Sequence, residues 1–130
     1  MPVELRTVNP DFRIVEVSMS EDRAKPIAVD DGNFRTITDG TDLPLLLEFW
    51  APWCPHCRAL APVIEQVAVE LSGKVIVGQV NCDLNRRLPE QFNVEVIPSL
   101  FFIRGGEVLG TIINPKDKHS LVAWIGELSE

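Results

Sequence analysis

Apolar residues fall into short runs divided by polar stretches that carry glycine or proline, and the spacing inside each run predicts its element. Residues 26–29, "PIAV", read as a short strand. "VDDGNFRTI" (29–37) opens on aspartates suited to a helix start and predicts one or two turns. "PLLLEF" gives a strand over 45–49. Leu60, Ile64, Val67, Ala68 and Leu71 recur three and four apart, one face of a helix over 58–71 that Ser72-Gly73 ends. The β-branched run at 75–80, "VIVGQV", suits a strand covered on both faces. "LNRRLPEQF" predicts a short helix interrupted near Pro89. "LFFI" and "EVLGTII" are two strands, and Arg104-Gly105-Gly106 between them signals a hairpin. The last stretch, "KDKHSLVAWIGELSE", predicts an amphipathic helix with Leu121, Val122, Ile125 and Leu128 inward.

The resulting order, β-α-β-α-β-α-β-β-α, is an α/β pattern. Alternation of this kind builds a largely parallel sheet with helices on both faces, and the hairpin adds an antiparallel edge. Residues 1–25 do not share the pattern. They carry Asn9-Pro10 and the polar run "SMSEDRAKP", and only "FRIVEV" has strand character. They are expected to form a loosely packed extension or an added edge strand, ahead of one domain over 26–130.

Composition narrows the function classes. The 130 residues are 45% hydrophobic and 24% charged, ordinary for a soluble globular domain. The net charge of -7, with only 12 Lys and Arg, argues against nucleic acid. No window approaches the ~18 apolar residues of a membrane span, and the N-terminus lacks the apolar core of a secretory signal, so the cytoplasm is expected.

The chemistry gathers in "LLLEFWAPWCPHCRALAP", residues 45–62. Cys54 falls on the loop between a strand and a helix, and Cys57 in the helix's first turn. Unpaired N–H groups and the macrodipole at a helix start favour negative charge there, and the thiolate is cysteine's reactive form. Two intervening residues let Cys57 reach back to Cys54, so one can attack a disulfide and the other resolve the mixed intermediate. Zinc is an alternative, but it needs about four ligands, and Cys82, His56 or His119 would have to complete the set. A structural disulfide is another, though so short a loop removes little unfolded-state entropy.

"FWAPWCPHCRALAP", "IPSLFFIRGGEV" and the element order together resemble the thioredoxin family over about residues 26–128. The resemblance implies the thioredoxin fold, a central mixed sheet with helices on both faces. It implies that Cys54 is an exposed nucleophile, Cys57 a buried resolving cysteine, and Trp53 the aromatic residue beside them. It implies a cis peptide at Ile97-Pro98, whose backbone pairs with a substrate chain, and a helix bend at Pro62. Glu48 sits in an apolar strand, on the face of Leu46 and Trp50. It matches the family's buried acid, usually Asp, that takes the proton from the resolving cysteine. A buried carboxyl of raised pKa can do that near neutral pH.

The chain departs from the family in three places. Pro55-His56 replaces the Gly-Pro usual between the cysteines and resembles the DsbA disulfide oxidases. A histidine there favours the Cys54 thiolate, which makes the disulfide more oxidising. Gln79 stands where thioredoxins often place a Lys near the acid, so the acid lacks a cationic neighbour and its pKa should rise further. Asn114-Pro115 replaces a Gly on the substrate-facing loop. Cys82 is expected to be a small apolar filler, with a regulatory or accessory thiol as the alternative, and His119 a surface residue. The expectation is a thioredoxin-like thiol–disulfide oxidoreductase, a protein-disulfide reductase, with catalytic Cys54, Cys57 and Glu48. Pro55 and His56 tune it, while Trp53, Ile97 and Pro98 bind substrate. Bound metal and cofactor are not expected. The partners implied are protein disulfides and a thioredoxin-reductase-like electron donor, and the chain should be a monomer. A disulfide oxidase or isomerase, or a non-catalytic interaction module of the same fold, are the alternatives.

Overall fold

The computed structural model describes residues 25–130. The expectations for 1–24, including a strand at "FRIVEV", lie outside the described residues. In chain order the elements are β1 (Ile27–Ala28), α1 (Phe34–Asp39), β2 (Leu45–Trp50), α2 (Pro55–Glu70), β3 (Ile76–Asn81), α3 (Arg87–Gln91), β4 (Ser99–Arg104), β5 (Glu107–Ile113) and α4 (Lys118–Ser129). Among the described residues no helix is long and apolar enough to cross a membrane.

The five strands form one mixed sheet in the order β1-β3-β2-β4-β5. β1 and β2 both run parallel to β3, β4 runs antiparallel to β2, and β5 antiparallel to β4. β2 is therefore central, and its side chains alternate between two cores. Leu45, Leu47 and Phe49 pack with Phe34, Leu88 and Phe101. Leu46, on the other face, packs with Leu60 and Ile64 of α2 and Leu121 and Ile125 of α4. Fully burying each such Leu, Ile or Phe is worth about 1.5–3 kcal/mol, so the two clusters hold the helices to the sheet. The expected inward face of α4 is seen, with Leu121 and Ile125 buried, Val122 and Leu128 half-buried, and Trp124 joining them.

Three expectations are revised. α2 begins at Pro55, three residues earlier than the apolar periodicity implied, because the first turn is set by its cap and by proline's fixed φ. α3 runs through Pro89 without interruption. Pro89 is its third residue, where a backbone N–H has no helical acceptor to lose. The aspartates near α1 do not cap it. Its cap, Asn33, makes no side-chain bond to the helix, while Asp30 closes the preceding turn by accepting from the N–H groups of Gly32 and Asn33 at 2.8 Å each. The hairpin is as expected, with Gly105 and Gly106 at φ 59° and 81°. Two left-handed residues are what a two-residue turn between twisted strands requires.

Candidate active site

β2 delivers the chain to the site, and α2 leads it away. Cys54 caps α2 with extended backbone (φ −83°, ψ 116°), and the Cys57 N–H donates to its Sγ at 3.2 Å. The sulfur occupies the place of the Ser or Asp oxygen that usually caps a helix. Pro55 holds the first helical position, where a missing N–H costs nothing. Both cysteines are free thiols. The helix continues through Pro62, which leaves the Arg58 carbonyl without its helical donor.

The expected exposure of Cys54 is not seen. Cys54 is 4% exposed and Cys57 3%. Cys54 turns inward to accept from Cys57, and its thiol points to the Ile97 carbonyl at 3.8 Å. Ala51, Trp50 and Ile97 close around the pair. Ile97-Pro98 is cis. Trp53 is the exposed group, at 64%, and its indole Nε1 donates to Asp83 Oδ1 at 3.1 Å. Pro55 and His56 are exposed on the first turn of α2. Among the described residues, no hydrogen bond joins His56 to Cys54.

Glu48 is 1% exposed. Being two residues on from Leu46, it faces the α2 side of the sheet, like the cysteines' helix. Burial pushes its carboxyl up to about 7, and a hydrogen bond from Gln79 pulls partly the other way. That bond, Gln79 Nε2 to Glu48 Oε1, is 2.9 Å long and joins directly paired residues of β3 and β2. Cys57 is pushed up to about 12, chiefly by burial, then by its hydrogen bond with Cys54, with the Glu48 charge also contributing. Both groups are therefore held toward their neutral, protonated forms, Cys57 more strongly than Glu48.

Several supporting residues were missed in the sequence. Asp83 holds Trp53, and the Asp83 N–H donates to Asn81 Oδ1 at 2.9 Å. Asn85 is a buried amide that donates to the Asn81 carbonyl and accepts from the Asp31 N–H. The density of Asn and Asp in "NCDLN" was the only available signal. Cys82 is half-buried against the apolar core, with its thiol raised by burial. His119 is exposed in the first turn of α4. Asn114 takes φ 50°, the left-handed backbone that a glycine adopts freely and asparagine tolerates, and its N–H donates to the Pro98 carbonyl at 3.0 Å. Among the described residues no three His, Cys, Asp or Glu side chains gather as a metal ion would require.

Comparison with known proteins agrees with this geometry. The family model described as Thioredoxin matches residues 25–127. The chain is 38% identical to a thioredoxin of Haemophilus influenzae over 99 residues, 76% of this chain and 92% of that protein. It is 37% identical to a thioredoxin of Rickettsia felis over 99 residues, 76% of this chain and 94% of that one. With thioredoxin 1 of Nostoc the identity is 36% over 93 residues, covering 72% and 87%.

Proposed function

Because the chain belongs to the thioredoxin family, it is a thiol–disulfide oxidoreductase, and we propose that Cys54 attacks, Cys57 resolves and Glu48 carries the proton between steps. The observation that supports this most is the Cys54 sulfur capping α2, with the Cys57 N–H 3.2 Å away. Charge on that sulfur meets a helix N-terminus and a backbone donor already in place.

The Cys54 thiolate bonds to one sulfur of a protein disulfide. The substrate's S–S bond breaks, and its other sulfur leaves as a thiolate and takes up a proton. Cys57 passes its proton to the Glu48 carboxylate, and its sulfur then attacks Cys54. The Cys54–substrate bond breaks, the second substrate thiolate is released and protonated, and a Cys54–Cys57 disulfide remains. Two electrons have moved from the dithiol to the substrate. Trp53 and the Ile97-Pro98 backbone hold the substrate strand. The Ile97 carbonyl, pointed to by the Cys54 thiol, lies where such a strand would meet the sulfur.

The family implies protein disulfides as substrates and a reductase as electron source. The protein acts as a monomer in the cytoplasm, with residues 26–130 as the working domain and 1–25 as an extension. Pro55 and His56 raise the potential above that of ordinary thioredoxins, about -270 mV. Equilibration of the pair against a glutathione buffer tests this. A value near about -200 mV is expected and would favour an isomerising or oxidising role. A value near -270 mV leaves a general reductase. Roles are tested by mass spectrometry: Cys57→Ser should trap the mixed disulfide and Cys54→Ser should form none. A trapped species on Cys57 in Cys54→Ser would reverse the assignment.

A further inference from the structure

We infer that Gln79 is the positioning residue for the proton step, fixing Glu48 Oε1 through a neutral amide so that Oε2 is the oxygen left to exchange the proton. The inference rests on the proposed role of Glu48. Its basis is geometric. β3 and β2 run parallel with Glu48 and Gln79 directly paired, so the two side chains stand side by side on one face. The Gln79 Nε2 donates to Glu48 Oε1 at 2.9 Å. Glu48 is otherwise enclosed, at 1% exposure, and an enclosed carboxyl with one donor leaves its second oxygen for another partner.

A cation beside a buried carboxyl lowers its pKa by one to three units and would shift Glu48 toward its ionised form. An apolar side chain would leave both oxygens unheld and the carboxyl further raised. The amide does neither, since it orients the group and only partly offsets burial. On its far side Gln79 lines an open cavity of about 540 Å³ with Pro26, Trp50, Asn81 and Asn85. It therefore stands between Glu48 and solvent. The titratable groups facing this pair are Cys57 from α2 on the inner side, Asp30 across the cavity that Gln79 lines, and Lys25 and Glu65 across a neighbouring hollow. Leu100 of β4, paired with Glu48 on its other side, brings no charge.

The test uses the full chain labelled with ¹³C at glutamate carboxyls, titrated by NMR as wild type, Gln79→Leu, Gln79→Lys and Glu48→Gln. Thiol exchange with a peptide disulfide is followed over the same pH range. The Glu48 midpoint should rise by about half a unit in Gln79→Leu and fall by about one unit or more in Gln79→Lys. The inflection in exchange rate should move with it in each. If Gln79→Leu fails to fold, Gln79→Lys decides alone. An unmoved midpoint in the Gln79 variants, or a moved midpoint with an unmoved rate profile, overturns the inference. When that occurs while Glu48→Gln flattens the profile, the role of Glu48 survives and only that of Gln79 falls. A rate profile unchanged in Glu48→Gln overturns both.

Discussion

Two carboxylates organise two regions of this molecule, and their surroundings drive them in opposite directions. Asp31 lies on the loop between β1 and α1. It reaches across to the start of α3 and accepts the N–H groups of Arg86 and Arg87 at 3.1 Å and of Leu88 at 3.0 Å. Its own N–H donates to Asn85 Oδ1 at 2.8 Å. Lost hydration opposes the charge, but the three backbone donors outweigh it and hold Asp31 below the usual carboxylate range. Glu48 lies in the middle of the sheet and has one neutral donor. There burial prevails, and the carboxyl rises to about 7. The first arrangement favours the charge at every working pH and serves to hold a loop. The second makes the charge costly, so that the proton comes and goes near neutrality. The same functional group has its charge held or made costly depending on whether its donors outweigh its burial.

Breaking the Glu48 side should give the largest effect, and with opposite signs for rate and stability. A raised folded-state pKa contributes stability below the unfolded value of about 4.5. That contribution is lost as pH rises through about 7, where the buried group must ionise. Glu48→Gln removes the loss. The variant should gain about 3 kcal/mol over wild type above pH 8 in urea unfolding, and little at pH 4. Its exchange rate at pH 7 should fall about 100-fold. A stability gain without a rate loss would leave Glu48 a buried polar residue with no chemical duty.

How legible each carboxylate was follows from the same contrast. Glu48 could be read because strand alternation is local: a strand at 45–49 fixes which face residue 48 shares with Leu46. The cysteines could be read because two residues of spacing at a helix start is a complete local instruction. Gln79's bond needed the order β3-β2 and their register as well, which no single run of residues states. Asp31 was legible only as an aspartate near a helix, and that reading chose the wrong helix. Its acceptor geometry spans 55 to 57 positions to α3's start. The enclosure of Cys54 was likewise hidden, since Ile97 closes over it from 43 positions away.

Removing the Asp31 clamp should change stability alone. A depressed folded-state pKa contributes stability above the unfolded value and loses it as pH falls through the folded one. Asp31→Ala should therefore lower Tm at pH 7 by about 8 °C. The gap should narrow as pH falls below 3.8, the reverse of the slope for Glu48→Gln. Chemistry on Cys54 and Cys57 should keep its rate, measured by single-turnover reduction of a peptide disulfide below the melting range. A slowed rate would mean that the Asp31–Asn85–Asn81 chain reaches the site through Asp83 and Trp53, and that the two regions are not separate.

Asp117 tests whether donor count sets the strength of such a clamp. It caps α4 with extended backbone and accepts one backbone N–H, from Ser120 at 2.8 Å. That bond, with help from the Ser120 side chain, holds its carboxyl below the ordinary value, as three bonds do for Asp31. Both groups are exposed, but lost hydration is the largest single influence at Asp31 and a lesser one at Asp117, so three donors at Asp31 work against a larger cost than the one backbone donor at Asp117 does. Asp117→Ala should lower Tm by about 4 °C, roughly half the Asp31 effect, with the same loss of difference below pH 3.8. The two substitutions combined should add, because the sites share no partner. If Asp117→Ala instead matched or exceeded Asp31→Ala, the extra donors at α3 would contribute nothing. Asp31 would then be an ordinary cap that happens to come from a distant loop.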